Sequence, residues 1–204
     1  MLLLDQASDA QLIKCYKEDA DKEFANRAFE TLLSRYKNKV FTAVYMVVKD
    51  KYVAEDILQE SFIKAIRLIN KDSYNEEGKF GPWIIRIARN MSIDYFRKSK
   101  RNPTILLEDG TDVFNSLRFA EDTGHKQGIS KEIHQKLKSY ILRLPLQQRE
   151  VLTMRHYAEM SFQDIAEATD VSINTALGRM RYALINLRKM FDQENVTYEH
   201  ILRE

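Results

Sequence analysis

Residues 80–101, FGPWIIRIARNMSIDYFRKSKR, carry two incompatible surfaces in one short stretch, and a helix is the simplest way to separate them. Gly81-Pro82 marks its start, because a proline in the first helical turn forfeits no internal hydrogen bond. Ile84, Ile87, Ala88 and Met91 then recur at helical spacing, the stripe of a helix that packs on a core. Pro82, Arg86, Arg89, Ile93 and Arg97 step along a different stripe. Arg86, Arg89, Arg97, Lys98, Lys100 and Arg101 are opposed by the single acid Asp94. An apolar back, a basic front and an aromatic start (Phe80, Trp83) can grip a polyanion and stack on its bases. The plain alternative is a solvated basic face on an ordinary core helix.

The rest of the chain favours helices as well. Hydrophobic residues make up 44% of its 204 positions, with only 6 Gly and 3 Pro to break them, so a mostly helical protein with few turns is expected. The 32 basic and 30 acidic residues nearly cancel, and their placement carries the information. Cys15 is the lone cysteine and cannot form an internal disulfide; Leu12 and Tyr16 beside it suggest a buried thiol on a helix. The apolar start Met1-Leu2-Leu3-Leu4 meets Asp5 at once, too early for a signal-peptide core. No run approaches the roughly 20 apolar residues of a membrane helix. A cytoplasmic protein without membrane insertion is expected.

Taken in order, 9–18 reads as a short helix. From Asp21, a plausible N-cap, apolar residues keep helical period to Val48. Lys49-Asp50 breaks the pattern, and a further helix runs from 52 to 69 with Ala54, Ile57, Leu58, Phe62, Ala65, Ile66 and Ile69 inward. The polar stretch 70–79 is a loop, and the basic helix follows. These four helices make one domain over 1–100. At Asn102-Pro103 periodicity stops, and 101–129 reads as a flexible linker of acidic balance. Order resumes with Ser130 as N-cap, and Pro145 opens the next helix. The fold class is therefore all-α, two small helical domains, with 130–192 as the second and 193–204 as a tail.

The second domain ends in SFQDIAEATDVSINTALGRMRYALINLRKM. Ser161 caps a short helix, Thr169-Asp170-Val171 turns tightly, and Ser172 caps a second helix whose inner face is Ala176, Met180, Ala183 and Leu187. Two short helices joined this tightly are the signature of a helix-turn-helix. Ser172, Asn174, Thr175, Gly178, Arg179 and Arg181 then fall where such a helix meets duplex DNA. Asn pairs with adenine and Arg with guanine at two points, each worth about 1–3 kcal/mol of discrimination. Gly178 lets the backbone approach closely. The alternative is a plain helical hairpin.

YVAEDILQESF (52–62) has the opposite character. Glu55, Asp56, Gln59 and Glu60 cluster on a helix, a face suited to solvent or to a basic protein partner. No metal spacing links His125, His134, His156 and His200, and neither a phosphate loop nor a nucleophile beside a base is visible. No enzyme, cofactor or metal site is expected.

Together these pieces resemble the extracytoplasmic-function (ECF) group of bacterial RNA polymerase sigma factors, of the sigma-70 family. AEDILQESF (54–62) is similar to that family's polymerase-clamp-binding helix. WIIRIARNMSIDYFRK (83–98) is similar to its promoter −10 helix, and LPLQQREVLTMRHYAEMSFQDIAEATDVSINTALGRMRYAL (144–184) to its −35-reading domain. The resemblance implies a sigma region 2-like first domain and a region 4-like second. It implies that Glu55, Asp56, Gln59 and Glu60 dock on core RNA polymerase. Arg86, Arg89, Asn90, Arg97 and Lys98 would engage the −10 strand of promoter DNA, with a flipped base held by loop 70–79 and the start of the basic helix. It also implies an anti-sigma factor as a partner. Where the family often has Gly-Thr-Val-Lys-Ser-Arg, this chain has Asn174-Thr175-Ala176-Leu177-Gly178-Arg179, which removes two polar contacts. The tail 193–204 matches no part of the family pattern. A stand-alone helix-turn-helix regulator with an N-terminal sensing domain is the second reading. A nucleic-acid-processing enzyme is a third, lacking any visible site.

Overall fold

A computed structural model describes residues 4–75, 78–101 and 131–193. The expected linker, the Ser130 cap and residues 194–204 lie outside the described residues. The chain divides into two compact units, Met1–Val113 and Phe114–Glu204. Among the described residues all regular structure is helical.

The first unit holds a 3-10 turn (Leu4–Gln6), α1 (Asp9–Glu18), α2 (Lys22–Val48), α3 (Lys51–Asn70) and α4 (Phe80–Arg101). Each of the first three α-helices starts on a side-chain cap. Ser8 and Gln11 form a reciprocal capping box on α1 (3.3 and 2.8 Å). Asp21 accepts from the Glu23 and Phe24 amides at the start of α2, and Asp50 accepts from Val53 at the start of α3. Lys49, left-handed at φ 59°, ends α2 one residue earlier, so two residues turn the corner.

Helix α2 is the centre, packed against α1, α3 and α4. Every residue from 42 to 48 is buried, so the end of this helix is enclosed on all sides. The N-terminal segment is tied to α2 by Arg35 and Tyr36, which both hold the Asp9 carboxylate; Arg35 also donates to the Ala7 carbonyl at 3.0 Å. Cys15 on α1 is half-buried and unbridged.

Helix α4 begins two residues earlier than Pro82. Its first backbone bond runs from the Trp83 amide to the Lys79 carbonyl, so Pro82 still falls where no donor is needed. The buried stripe also differs from the expected one. Phe80, Ile84, Ile85, Ala88 and Ser92 are buried, whereas Ile87 and Met91 are half-exposed. Ser92 can occupy the core because its hydroxyl donates back to the Ala88 carbonyl at 2.7 Å. Ser61 does the same on α3, bonding to Ile57 at 2.6 Å. The α3–α4 seam thus contains two serines that hide their polarity in their own helices.

The second unit holds α5 (Lys131–Arg143), α6 (Leu146–His156), α7 (Phe162–Thr169) and α8 (Ile173–Gln193). Helix α8 packs on the other three. Tyr140 of α5 meets Phe191 of α8 edge-on, with ring centroids 4.9 Å apart. Arg149 is buried, and its guanidinium donates to the Leu142 and Leu144 carbonyls at 2.8 and 3.3 Å, closing the C-terminal end of α5. Burial pulls its pKa down, while neighbouring Glu150 opposes that shift. Helix α6 stops at His156, and Tyr157 follows it as the C-cap. Asn186 donates to Gln148 at 2.8 Å and joins α8 to α6.

Candidate nucleic-acid interface

Three surfaces carry the expected site residues, two on the first unit and one on the second. On α3, Asp56, Gln59 and Glu60 are exposed and Glu55 is half-exposed. None of these four side chains has a hydrogen bond or ion pair among the described residues. The same stripe holds two apolar residues that sequence reasoning missed. Tyr52 is 78% exposed and Ile63 is 47% exposed. Positions 52, 56, 59, 60 and 63 recur at helical steps, so the acids lie between two apolar ends. Singly exposed apolar residues are ordinary on a solvated face, and in register with the acids these two have the composition of interface anchors.

The second surface is the front of α4 with the chain leading into it. Asn90, Arg97 and Lys98 are exposed, and Arg86 and Arg89 are half-exposed. Arg89 reaches the Asn90 side-chain oxygen at 3.4 Å, and Arg97 lies 3.8 Å from the Asp94 carboxylate on open surface. An exposed pair of this kind contributes about 0–1 kcal/mol, so Arg97 can change partners at little cost.

Phe80 is not part of that surface. It is fully buried, with ring centroids 5.3 Å from Tyr36, 6.1 Å from Tyr74 and 5.7 Å from Trp83. The expected aromatic start therefore reduces to Trp83, half-exposed and 4.3 Å from Tyr74 of the preceding loop. The start of that loop is pinned. The Ser73 amide bonds to the Leu68 carbonyl at 2.9 Å, Asp72 pairs with Lys17 of α1, and Asn70 reaches the Tyr16 hydroxyl at 3.4 Å. Helix α1 thus braces the loop that carries Tyr74.

The third surface is the start of α8. Ser161 caps α7 through the Asp164 amide at 3.1 Å, Asp170 turns the chain at φ 55°, and Ser172 caps α8 through the Thr175 amide at 3.1 Å. Ser172, Asn174, Thr175 and Arg181 are exposed, and Gly178 and Arg179 are half-exposed. A Cβ placed on Gly178 meets nothing within 4 Å, so the fold itself does not demand glycine there. Inside a helix that choice costs up to about 1 kcal/mol relative to alanine, and close approach by an outside surface is its natural use. Among the described residues no group of side chains has metal-binding composition, and no helix is long and apolar enough to cross a membrane.

Known proteins share this layout. The family model for sigma-70 region 2 matches residues 32–102, and that for sigma-70 region 4 matches residues 134–182. The chain is 30% identical to the ECF RNA polymerase sigma factor SigW of Bacillus subtilis, over 79% of this chain and 88% of that protein. It is 33% identical to the ECF RNA polymerase sigma-E factor of Haemophilus influenzae, over 87% of this chain and 92% of that one. Among solved structures, CnrH in complex with the cytosolic domain of CnrY shares the fold with a TM-score of 0.64 at 19% identity, covering 92% of this chain and 99% of CnrH. The sigma factor RpoE of Bartonella quintana, solved with the anti-sigma factor NepR, gives 0.62 at 20% identity, covering 80% of this chain and 96% of RpoE. With both regions matched and near full-length relatives at this identity, the chain belongs to the ECF group of RNA polymerase sigma factors in the sigma-70 family.

Proposed function

We propose that this protein is a dissociable sigma factor that binds core RNA polymerase and directs initiation by capturing the −10 strand and reading the −35 duplex. Residues 1–100 form the polymerase-binding and −10 domain, 101–129 the linker, and 130–192 the −35 domain. The observation that carries the reading is the separation of charge on the first unit. Four polar and acidic side chains without partners among the described residues lie on α3, and basic side chains line the front of α4. The acidic face repels DNA and suits a basic protein surface; the basic face suits a phosphate backbone.

On this reading Glu55, Asp56, Gln59 and Glu60 dock on the polymerase. Arg86, Arg89, Asn90, Arg97 and Lys98 hold the −10 strand, with Tyr74 and Trp83 beside a flipped base. Ser172, Asn174, Thr175, Gly178, Arg179 and Arg181 meet the −35 duplex. Separating DNA costs about 1.4 kcal/mol per stacked step, so opening roughly ten steps costs on the order of 14 kcal/mol. One basic helix and one pocket cannot supply that, so polymerase contributes most of it and all of the chemistry. The protein works in the cytoplasm beside the polymerase. An anti-sigma factor is a further partner, by analogy with RpoE of Bartonella quintana, which was solved with the anti-sigma factor NepR.

Run-off transcription with purified core polymerase tests the proposal. A promoter-specific transcript that disappears with Asp56→Ala and Gln59→Ala is expected. Tight duplex binding without polymerase, and no transcript with it, would instead identify a stand-alone regulator.

A further inference from the structure

Helix α3 ends in a turn that suits glycine and holds an aspartate. The Ser73 amide bonds to the Leu68 carbonyl at 2.9 Å and the Asp72 amide to the Ile69 carbonyl at 3.1 Å, the paired bonds of a Schellman cap. Asp72 stands in it at φ 53°, where glycine meets no steric penalty. Its carboxylate pairs with Lys17 of α1, 55 positions upstream.

Stability alone gives that aspartate little reason. Its side chain is 78% exposed and that of Lys17 35%, and solvent screening leaves such an ion pair a small net contribution. What the pair adds is a tie. Helix α1 is itself fixed, because Arg35 and Tyr36 of α2 hold Asp9 and the Tyr16 ring lies 5.1 Å from Phe29. Tyr16 also accepts a hydrogen bond from the Asn70 side chain at 3.4 Å, beside the same turn. Two residues past Asp72 comes Tyr74, whose ring sits 4.3 Å from Trp83 and 6.1 Å from Phe80. The chain between is therefore set from α1 at Asp72 and from α4 at Tyr74. A strained left-handed residue has a use where it aims a neighbouring side chain.

We propose that α1 positions the aromatic pair Tyr74–Trp83, acting through Lys17 on Asp72. The tie keeps the two rings together as a platform on which an unstacked base can lie. That last step rests on the assignment of this surface to the −10 strand; the positioning of Tyr74 does not. Lys17 and Asp72 are positioning residues, and they act through Tyr74.

Trp83 is the only tryptophan of the chain, so its quenching by acrylamide in the full-length protein reads the pair without DNA or polymerase. Lys17→Ala and Asp72→Gly are each expected to raise the quenching constant most of the way to that of Tyr74→Ala. The exchange Lys17→Glu with Asp72→Lys should return it to the wild-type value; Lys49 at φ 59° shows that lysine is accepted in such a turn. Asp72→Gly should at the same time hold or raise the denaturation midpoint, because glycine relieves the left-handed strain. Quenching unchanged in both single variants would overturn the proposal. So would a midpoint that falls in Asp72→Gly as quenching rises, which would make the pair a support of the fold and nothing more.

The second arm uses holoenzyme and a single-stranded oligonucleotide that it selects from a random pool, with an abasic site placed at each position in turn. Wild type should lose about tenfold in affinity at one position, as expected for one stacked base. Lys17→Ala should lose at most about threefold there, and the charge exchange should restore the full loss. An undiminished penalty in Lys17→Ala, with quenching raised, would overturn the link between the tie and base capture. Wild-type holoenzyme that selects no oligonucleotide would be a failure of the sigma-factor reading, and the quenching arm would still decide the positioning of Tyr74.

Discussion

Gly81 lies so close to the ring of Tyr36 that a Cβ on it would stand 2.6 Å from Tyr36 Cε1. The contact places the first turn of α4 directly on α2. It is reinforced by the Phe80 ring beside the same tyrosine, whose hydroxyl is held by Asp9 of α1. Three helices therefore meet where the basic helix begins.

Gly81→Ala is expected to destabilise the first unit by about 1–3 kcal/mol, because the aromatic ring or the helix start must move to admit a methyl group. Trp83 is the only tryptophan of the chain and sits two residues away, so its fluorescence in a denaturant series follows this unit alone. An unchanged midpoint would mean that the Tyr36 ring yields freely.

The same contact explains where the sequence could and could not be read. The Asp21, Ser161 and Ser172 caps follow from residue type and position, and the structure has all three. Phe80 was legible as an aromatic but not as core, because what buries it, Tyr36, lies 44 positions upstream on another helix. Ser61 and Ser92 hide in the apolar pattern because a hydrophobic stripe counts letters, and these hydroxyls are satisfied by their own backbones. That is why Ile85 and Ser92 displace Ile87 and Met91 from the core. Tyr52 and Ile63 went unnoticed for the reverse reason: isolated apolar residues on an exposed face are common, and only their register with Asp56 and Gln59 gives them meaning.

Tyr52→Ala and Ile63→Ala should leave folding within about 0.5 kcal/mol, since both side chains are largely solvated. If they anchor the polymerase interface, each should weaken core binding by about 1–2 kcal/mol, up to roughly thirtyfold. Fluorescence anisotropy of labelled protein titrated with core polymerase measures this. Wild-type affinity in both variants would confine the interface to the acidic residues.

The Tyr157 hydroxyl is pushed up to about 12 from its ordinary 10.0 by burial. A folded pKa raised above the unfolded one means stability that is complete below pH 10 and lost as pH rises toward 12. The loss should approach about 2–3 kcal/mol in the second unit. Hydrogen exchange of the α6 and α7 amides across this range should show it, and Tyr157→Phe should flatten the profile.

Arg97 and Lys98 are exposed, and their replacement should not unfold the protein. If each meets one phosphate of the −10 strand, Arg97→Ala and Lys98→Ala should each lower the slope of log affinity against log salt by about 0.7. The measurement is holoenzyme binding to a single-stranded −10 oligonucleotide between low and moderate salt. An unaltered slope would return these residues to the solvated surface.

Gly178 is the counterpart of Gly81, with open space where Gly81 has a ring. Gly178→Ala has no neighbour to displace and removes backbone freedom from the unfolded chain. The second unit should therefore gain about 0.4–1 kcal/mol, read as slower exchange of the α8 amides. If Gly178 meets the −35 duplex, binding to that duplex should move the other way, because the added methyl group would stand between the helix and the DNA backbone. A variant that is more stable and reads duplex DNA less well separates the two roles of a residue, since a purely structural glycine cannot give both changes. Greater stability with unchanged duplex affinity would remove Gly178 from the interface and leave the reading to Asn174, Thr175 and Arg181.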